Sequence, residues 1–366
     1  MNITGRLALK MLYRGLRNKY AERPISVSFE ITHYCTANCW HCNWGGPVKN
    51  EKRLQAEDYA AICEELRPVV SHLSGGEPLA RTDIYDIARA MAKPGDLPWM
   101  ILVSNAAALN ADKYGKLREA GINQFSISLD FPDERHSEFR RIPGLFDKMS
   151  RVIPEITSLG NNDLSLNSCI TAWNYQALPE MVELAKKWNT KINFSVYSPL
   201  RISDESGMPS EEKLKDVRDV FQKVIDMKKA GYPVYSSERV MWKYYQFFTD
   251  RGIPGCEAGR RFLVINPDGS LTPCAMVWAK YNSQRDMLRE FTTNNTCQQC
   301  YISTRANTEK KFGDFFADNW EMLAKQVFSR PKKGMSITAD PAATAEIAPA
   351  TSAKTEERQR QRSAAQ

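Results

Sequence analysis

The chain has 366 residues, of which 42% are hydrophobic and 25% charged, and carries a formal net charge of +7. That length exceeds one domain's usual size and supports a large core. No window offers about 18 consecutive apolar residues, so no transmembrane helix is expected. The basic excess lacks the aromatic-interleaved pattern of a nucleic-acid interface, so no nucleic-acid partner is expected either.

In chain order, residues 2–20 read as a helix. Arg6, Lys10, Arg14 and Arg17 form one stripe, and Leu9, Leu12, Leu16 and Tyr20 an opposing one. Such a helix suits a peripheral contact with the inner face of the membrane and delivery of a lipid substrate. Alternatively it packs its apolar face on the following domain and leaves its basic face in water. An alternating apolar run, 25–31, reads as the first strand. It leads into Cys35-Thr36-Ala37-Asn38-Cys39-Trp40-His41-Cys42, a C-x3-C-x2-C spacing. Three thiolates on one loop hold three irons of a [4Fe–4S] cube and leave the fourth iron open. Zinc, with His33 or His41 as fourth ligand, stays open at this point. A ferredoxin-type cluster wants a fourth nearby cysteine, and Cys63 lies inside a helical pattern at 56–66. Structural disulfides are not expected, because nine cysteines is an odd number and no signal peptide is read. The expected location is the cytoplasm.

A second strand, 69–74, runs into Gly75-Gly76-Glu77-Pro78. The glycines permit a sharp turn and close approach to a ligand; Glu77 is an anionic acceptor and Pro78 stiffens the exit. Further strands are expected at 99–104, 124–129, 164–171 and 192–197, with helices near 81–92, 111–120, 144–159 and 175–188. Repeated βα units imply a parallel sheet with right-handed crossovers. The third strand ends in Ser104-Asn105, polar groups suited to ribose hydroxyls or simply to a turn. In the fourth, Ser126, Ser128 and Asp130 share one face. In the fifth, Asn167 reaches toward the pocket and Cys169 fills the barrel. Farther on, Asn266-Pro267-Asp268-Gly269 signals a hairpin that brings Cys256 and Cys274 to one end. Cys297-Gln298-Gln299-Cys300 adds a chelating pair. Four thiolates suit an iron–sulfur cluster or zinc. Residues 331–366 lack aromatics and periodicity and are expected to be disordered.

The triple-cysteine loop followed one strand later by GGEP resembles the radical S-adenosylmethionine (SAM) superfamily. The resemblance covers residues 24–305. It implies an α/β fold, a partial (β/α)6 TIM-like barrel with its ligand at the C-terminal strand ends. It also implies that Cys35, Cys39 and Cys42 hold a [4Fe–4S] cluster whose open iron chelates SAM. One electron then yields a 5′-deoxyadenosyl radical. Gly75, Gly76, Glu77 and Pro78, with Ser104, Asn105, Ser128 and Asp130, are the implied SAM contacts. The later cysteines resemble the auxiliary-cluster extension of the SPASM/Twitch type. They imply a second [4Fe–4S] cluster on Cys256, Cys274, Cys297 and Cys300, suited to electron transfer. The implied division is a basic helix at 1–23, the core barrel at 24–235, an auxiliary domain at 236–330 and the tail. A flavodoxin- or ferredoxin-type donor is implied as electron source. The expected reaction is oxidation or bond formation on a small-molecule or lipid-linked substrate. The alternatives are a peptide maturase and a non-catalytic iron–sulfur protein. No general acid or base is named by the sequence.

Overall fold

The computed structural model describes residues 3–310; the expected tail at 331–366 lies outside the described residues. The first elements are α1 (Gly5–Tyr20), β1 (Ser26–Thr32), α2 (Ala56–Leu66), β2 (Val70–Gly75), α3 (Ile84–Met91) and β3 (Trp99–Ser104). Next come α4 (Ala111–Glu119), β4 (Gln124–Ser128), α5 (Arg135–Arg140), α6 (Leu145–Ser158), β5 (Leu164–Ile170), α7 (Leu178–Lys187) and β6 (Lys191–Val196). The chain continues through α8 (Leu214–Lys229), α9 (Glu238–Asp250), β7 (Phe262–Ile265), β8 (Leu271–Thr272), α10 (Gln284–Glu290) and α11 (Ser303–Thr308).

β1 to β6 pair in sequence order and in parallel, as right-handed βα crossovers dictate. The full sheet has eight strands in the order β6-β5-β4-β3-β2-β1-β7-β8. The hairpin expected around 266–269 forms as β7 and β8. It is not free-standing, because β7 pairs in parallel with β1 and extends the sheet beyond it. This is a TIM-like barrel left open between β6 and the hairpin.

Side chains alternate across the sheet. Val27, Phe29, Leu73, Leu102, Phe125, Ile127, Leu166, Ile192 and Phe194 are sealed beneath the helices. The intervening positions, including Ser28, Ser74, Ser126, Ser128, Asn167, Cys169, Asn193 and Ser195, are only partly buried. The barrel therefore has an apolar jacket and a polar, accessible lumen. On its wall Asn193 of β6 donates to its neighbour Asn167 of β5 at 3.0 Å.

Elements not expected from the sequence cover the remaining edge of β6. Ile192 N–H donates to the Pro233 carbonyl, and Tyr235 N–H donates back to Ile192. From α9, Tyr244 donates its hydroxyl to the Phe194 carbonyl at 2.8 Å. The short α5 was also unforeseen, and the expected helix over 144–159 begins one turn after it.

The N-terminal helix forms, and its two expected stripes are each divided. Its inner side is mixed: Leu7 and Met11 are half-buried on the face of Asn18, and Leu12 and Leu16 are half-buried too, while Leu9 and Tyr20 are exposed. Asn18 is buried and donates from Nδ2 to the Pro24 carbonyl at 2.8 Å and the Arg67 carbonyl at 2.9 Å. Lys10 lies 3.3 Å and Arg14 3.8 Å from Asp96. Half of the expected basic stripe is therefore engaged with the fold, while Leu9, Tyr13 and Tyr20 point outward. Pro24, Arg67 and Asp96 all precede strands, so α1 crosses the barrel floor at the strand N-termini. Delivery of a lipid from α1 directly into a pocket at the opposite strand ends is ruled out by this placement. Among the described residues, no helix is long and apolar enough to cross a membrane.

Asn18 is the polar anchor of that helix. Asn18→Ala should remove two hydrogen bonds and leave the buried Pro24 carbonyl without its partner, lowering stability by about 1–3 kcal/mol in urea denaturation.

Candidate functional site

The triple-cysteine loop leaves the C-terminal end of β1, and its course is set by contacts with the end of β2. The register between the two strands shifts at Glu30–Thr32, so that Thr32 faces Gly75. Gly76 N–H then donates to the Thr32 carbonyl at 2.7 Å, and Glu77 N–H to the Tyr34 carbonyl at 2.8 Å. The backbones come so close that a Cβ on Gly75 would lie 2.1 Å from the Thr32 oxygen. One on Gly76 would lie 2.1 Å from the Tyr34 oxygen. The glycines thus serve the approach of two chain segments, where the sequence reading assigned them to approach of a ligand. Pro78 opens a short 3-10 turn.

Glu77 is 1% exposed. Its carboxylate accepts from Leu79 N–H at 3.0 Å, Ser104 Oγ at 2.8 Å and Asn105 N–H at 2.8 Å. The acid therefore ties the end of β2 to the end of β3. Burial raises its pKa, against the pull of these neutral donors. A carboxylate has about four acceptor positions, so one stays available for a cationic group. Asn105 turns its Nδ2 toward the cysteine loop, 3.2 Å from Thr36 Oγ1 and 3.9 Å from Cys35 Sγ.

Asp130 follows β4 and is fully buried. The structure brings it to Arg140 of α5, whose Nε and Nη2 donate at 2.8 and 2.7 Å. Cys169 N–H donates to its other oxygen at 3.3 Å. Burial works to raise the Asp130 pKa, but the Arg140 charge, helped by His41 and His136, holds it below the usual carboxylate range. His136 is fully buried; burial, with Arg140, pushes its pKa down to about 3. The neutral ring accepts from Asp130 N–H at Nδ1, at 3.1 Å. Ser128 stays on the half-buried lumen side, apart from this group.

Cys35, Cys39 and Cys42 lie within electrostatic reach of one another and of Arg140. Ala37 N–H donates to Cys35 Sγ, and Trp44 N–H to Cys42 Sγ, each at 3.4 Å. α5 supports the same loop: Asn38 and Trp40 N–H groups donate to the Arg140 and Phe139 carbonyls. Burial pushes the Cys39 thiol up to about 12. Such a sulfur becomes a thiolate only with strong positive compensation, as iron ligation supplies. Sulfurs that accept N–H bonds beside a buried guanidinium fit the ligand set of an iron–sulfur cluster.

The second cysteine set is likewise gathered within electrostatic reach. Cys256, Cys274, Cys297 and Cys300 feel one another's charge, and burial pushes Cys274 up to about 12. Met276 N–H donates to Cys274 Sγ at 3.4 Å. Asn295 donates to the Cys256 carbonyl at 2.8 Å and accepts from Cys297 N–H at 3.0 Å. Arg305, fully buried, donates to the Cys300 and Pro254 carbonyls and to Glu309. Among the described residues, no three Cys, His, Asp or Glu side chains converge as ligands of a single ion would. The remaining cysteines stand apart. Cys63 lies against Ser71 in the jacket, and Cys169 lines the lumen with its thiol pKa raised by burial.

Arg201, just beyond β6, joins the two sets and was not singled out by the sequence. Its Nη2 lies 3.9 Å from Cys42 Sγ, and its Nη1 donates to the Ala275 carbonyl. The guanidinium sits 5.4 Å from the Trp44 ring and 5.5 Å from that of Trp278. These two rings meet edge to face at 5.3 Å. Glu51 is a further unforeseen anchor, accepting from Thr32 Oγ1 at 2.7 Å and from His33 N–H. No local sequence signal singles out Arg140, Arg201 or Glu51; only tertiary contacts reveal their roles.

The comparisons with known proteins agree with this geometry. Residues 29–185 match the model of the Radical SAM superfamily. The AdoMet-dependent heme synthase of Methanosarcina barkeri is 25% identical over 271 residues, 69% of this chain and 76% of its own length. The PqqA peptide cyclase of Granulibacter bethesdensis is 27% identical over 268 residues, 69% of this chain and 68% of its own. In fold, the chain resembles Streptococcus suis SuiB bound to S-adenosylmethionine, with a TM-score of 0.58 at 17% identity. That match covers 75% of this chain and 67% of the SuiB chain. It also resembles native anSMEcpe with bound AdoMet, with a TM-score of 0.57 at 14% identity, over 82% of this chain and 99% of the other.

Glu77→Ala would strand the donors of Leu79, Ser104 and Asn105 in a dry site. A stability loss of about 2–4 kcal/mol is expected by urea denaturation, beyond any effect on ligand affinity.

Proposed function

The chain belongs to the radical SAM superfamily, and from that premise we propose that it removes a hydrogen atom from an unactivated C–H bond of a peptide substrate. The observation that carries the chemistry is the loop of Cys35, Cys39 and Cys42. It lies at the C-terminal strand ends, with N–H donors on two of its sulfurs and the buried Arg140 beside it. Bound there, a [4Fe–4S] cluster and SAM supply a 5′-deoxyadenosyl radical. Arg140 offsets the thiolate charge. Glu77 offers its remaining acceptor position to the cationic amino group of SAM. Ser104 and Asn105 hold Glu77 in place, and Ser128 and Asn167 present polar groups from the lumen wall. Asp130 contributes through Arg140.

The peptide reading is supported by the PqqA peptide cyclases among the relatives, and it displaces the small-molecule or lipid-linked substrate that the sequence favoured. Cys256, Cys274, Cys297 and Cys300 are proposed to hold an auxiliary [4Fe–4S] cluster, with electrons from a flavodoxin- or ferredoxin-type donor. Support for a cluster at these four thiols comes from the number of cysteines and from the Met276 N–H donated to Cys274 Sγ.

Anaerobically reconstituted protein should carry about eight irons and cleave SAM to 5′-deoxyadenosine when reduced. Cys35→Ala/Cys39→Ala/Cys42→Ala should retain about four irons and lose cleavage. Full iron content in that variant would refute the assignment. The substrate class is tested by offering the short peptides encoded beside this gene and following mass change; no change in any peptide removes the peptide reading.

Arg201 provides a separate check. A hydrogen bond to a ligand sulfur stabilises the reduced cluster, so Arg201→Met should lower the midpoint potential of the cluster at Cys35, Cys39 and Cys42. An EPR-monitored redox titration reads this directly, and Arg201→Lys should recover part of the shift.

A further inference from the structure

The barrel floor carries a surface that the proposed chemistry does not use. α1 turns inward a side that holds Asn18, Lys10 and Arg14 together with the half-buried Leu7 and Met11. The side left outward holds Leu9, Tyr13 and Tyr20, which are 68%, 69% and 85% exposed. They recur at spacings of four and seven and so lie along one line of the helix. Arg6, Arg17 and Lys19 flank that line, exposed and without ion pairs among the described residues, and the helix has no acidic residue. Beside it, between α1, α2 and α3, opens a cleft of about 500 Å³. Arg14, Arg17, Arg23, Arg67 and Lys93 line it against the single acid Glu64.

We propose that this floor docks on an anionic phospholipid bilayer. Leu9, Tyr13 and Tyr20 enter the interfacial layer, where a ring with a polar tip is at home. Arg6, Arg17 and Lys19 meet the negative surface potential. The basic cleft receives the phosphate of one headgroup. Two features favour a lipid surface over an acidic protein partner. Aromatic and aliphatic side chains share one line with cations on its flanks, which is the pattern of an interfacial helix. The cleft adds an anion site of headgroup size next to that line. Because α1 crosses the strand N-termini, a docked protein presents its cysteine loop to the aqueous side. Attachment and chemistry then occupy opposite poles of the barrel, and the mouth stays open to a water-borne peptide.

The test is cosedimentation of the full-length, iron-loaded protein with vesicles of phosphatidylcholine alone or mixed with phosphatidylglycerol. Binding is expected only with the anionic vesicles, with release near 1 M salt, where the screening length falls to about 3 Å. Leu9→Ser/Tyr13→Ser/Tyr20→Ser and Arg17→Gln/Arg23→Gln should each weaken binding roughly tenfold or more. Both should keep SAM cleavage, which shows that they are folded. Inorganic phosphate at matched ionic strength should compete with the vesicles if the cleft holds a headgroup phosphate. Intact protein remaining in the supernatant with anionic vesicles at low salt would overturn the proposal. So would equal binding to neutral vesicles, or a thermal shift with inorganic phosphate that is not accompanied by vesicle binding. An acidic protein that captures the floor while vesicles do not would replace it.

Discussion

The site depends on two backbones held in contact. Where the chain leaves β1 and β2, the carbonyls of Thr32 and Tyr34 lie against Gly75 and Gly76 at distances that no side chain tolerates. Gly75 also adopts φ +130, which L side chains rarely adopt. This contact continues the β1–β2 ladder beyond the strands and into the cysteine loop. The loop therefore inherits its geometry from the sheet. Three cysteines on a free loop would lose conformational entropy on binding a cluster, whereas here part of that ordering is already built into the fold.

Electrostatics completes the arrangement by treating two buried carboxylates differently. Asp130 has a full positive charge at 2.7 Å, which holds its pKa down; Glu77 accepts only from neutral donors and feels Arg140 from a distance, and burial prevails over both. The physical difference is net charge, since dipoles satisfy hydrogen-bond geometry without repaying the cost of a desolvated anion. Glu77 is thus the acid that gains from a cationic ligand, while Asp130 is already paired. Removing Arg140 would upset both Asp130 and the neighbouring thiols, so its burial links the back wall of the lumen to the cysteine loop.

The sequence was legible where a local rule dictated the outcome. Alternation in Gln124–Leu129 and Leu164–Ile170 marked strands because one face lies under helices and the other in the lumen. Cysteine spacing and GGEP marked the loop because cluster ligation and backbone crowding restrict residue choice. What stayed hidden depended on distant pairing. Nothing local says that Phe262–Ile265 joins β1 in parallel, since four buried apolar residues suit any core strand. Nothing local marks Arg140 or Arg305, because their partners, Asp130 and the Cys300 and Pro254 carbonyls, depend on the fold. The α1 stripe was misread for the same reason. A helical wheel orders the faces, but Asp96 and the Pro24 and Arg67 carbonyls decide which face turns inward.

The open seam of the barrel explains why the second cysteine set lies where it does. A sheet that stops at β6 leaves backbone groups that need cover. Residues 233–235 and Tyr244 cover those of β6, and the segment around Cys297–Thr308 attaches beside them through serine side chains: Ser198 donates to the Gln299 carbonyl at 2.8 Å, and Ser303 N–H donates to Ser195 Oγ at 3.0 Å. A segment seated there must satisfy its own buried polar groups, and Arg305 does so by bracing two carbonyls and Glu309 at once. Arg305 in this way holds the Cys300 carbonyl and, through Pro254, the approach to Cys256. Arg201 then bridges Cys42 and the loop after Cys274 with a single guanidinium. The second thiol set is thus tied to the barrel end at Ser195 and Ser198, and to the first thiol set through Arg201.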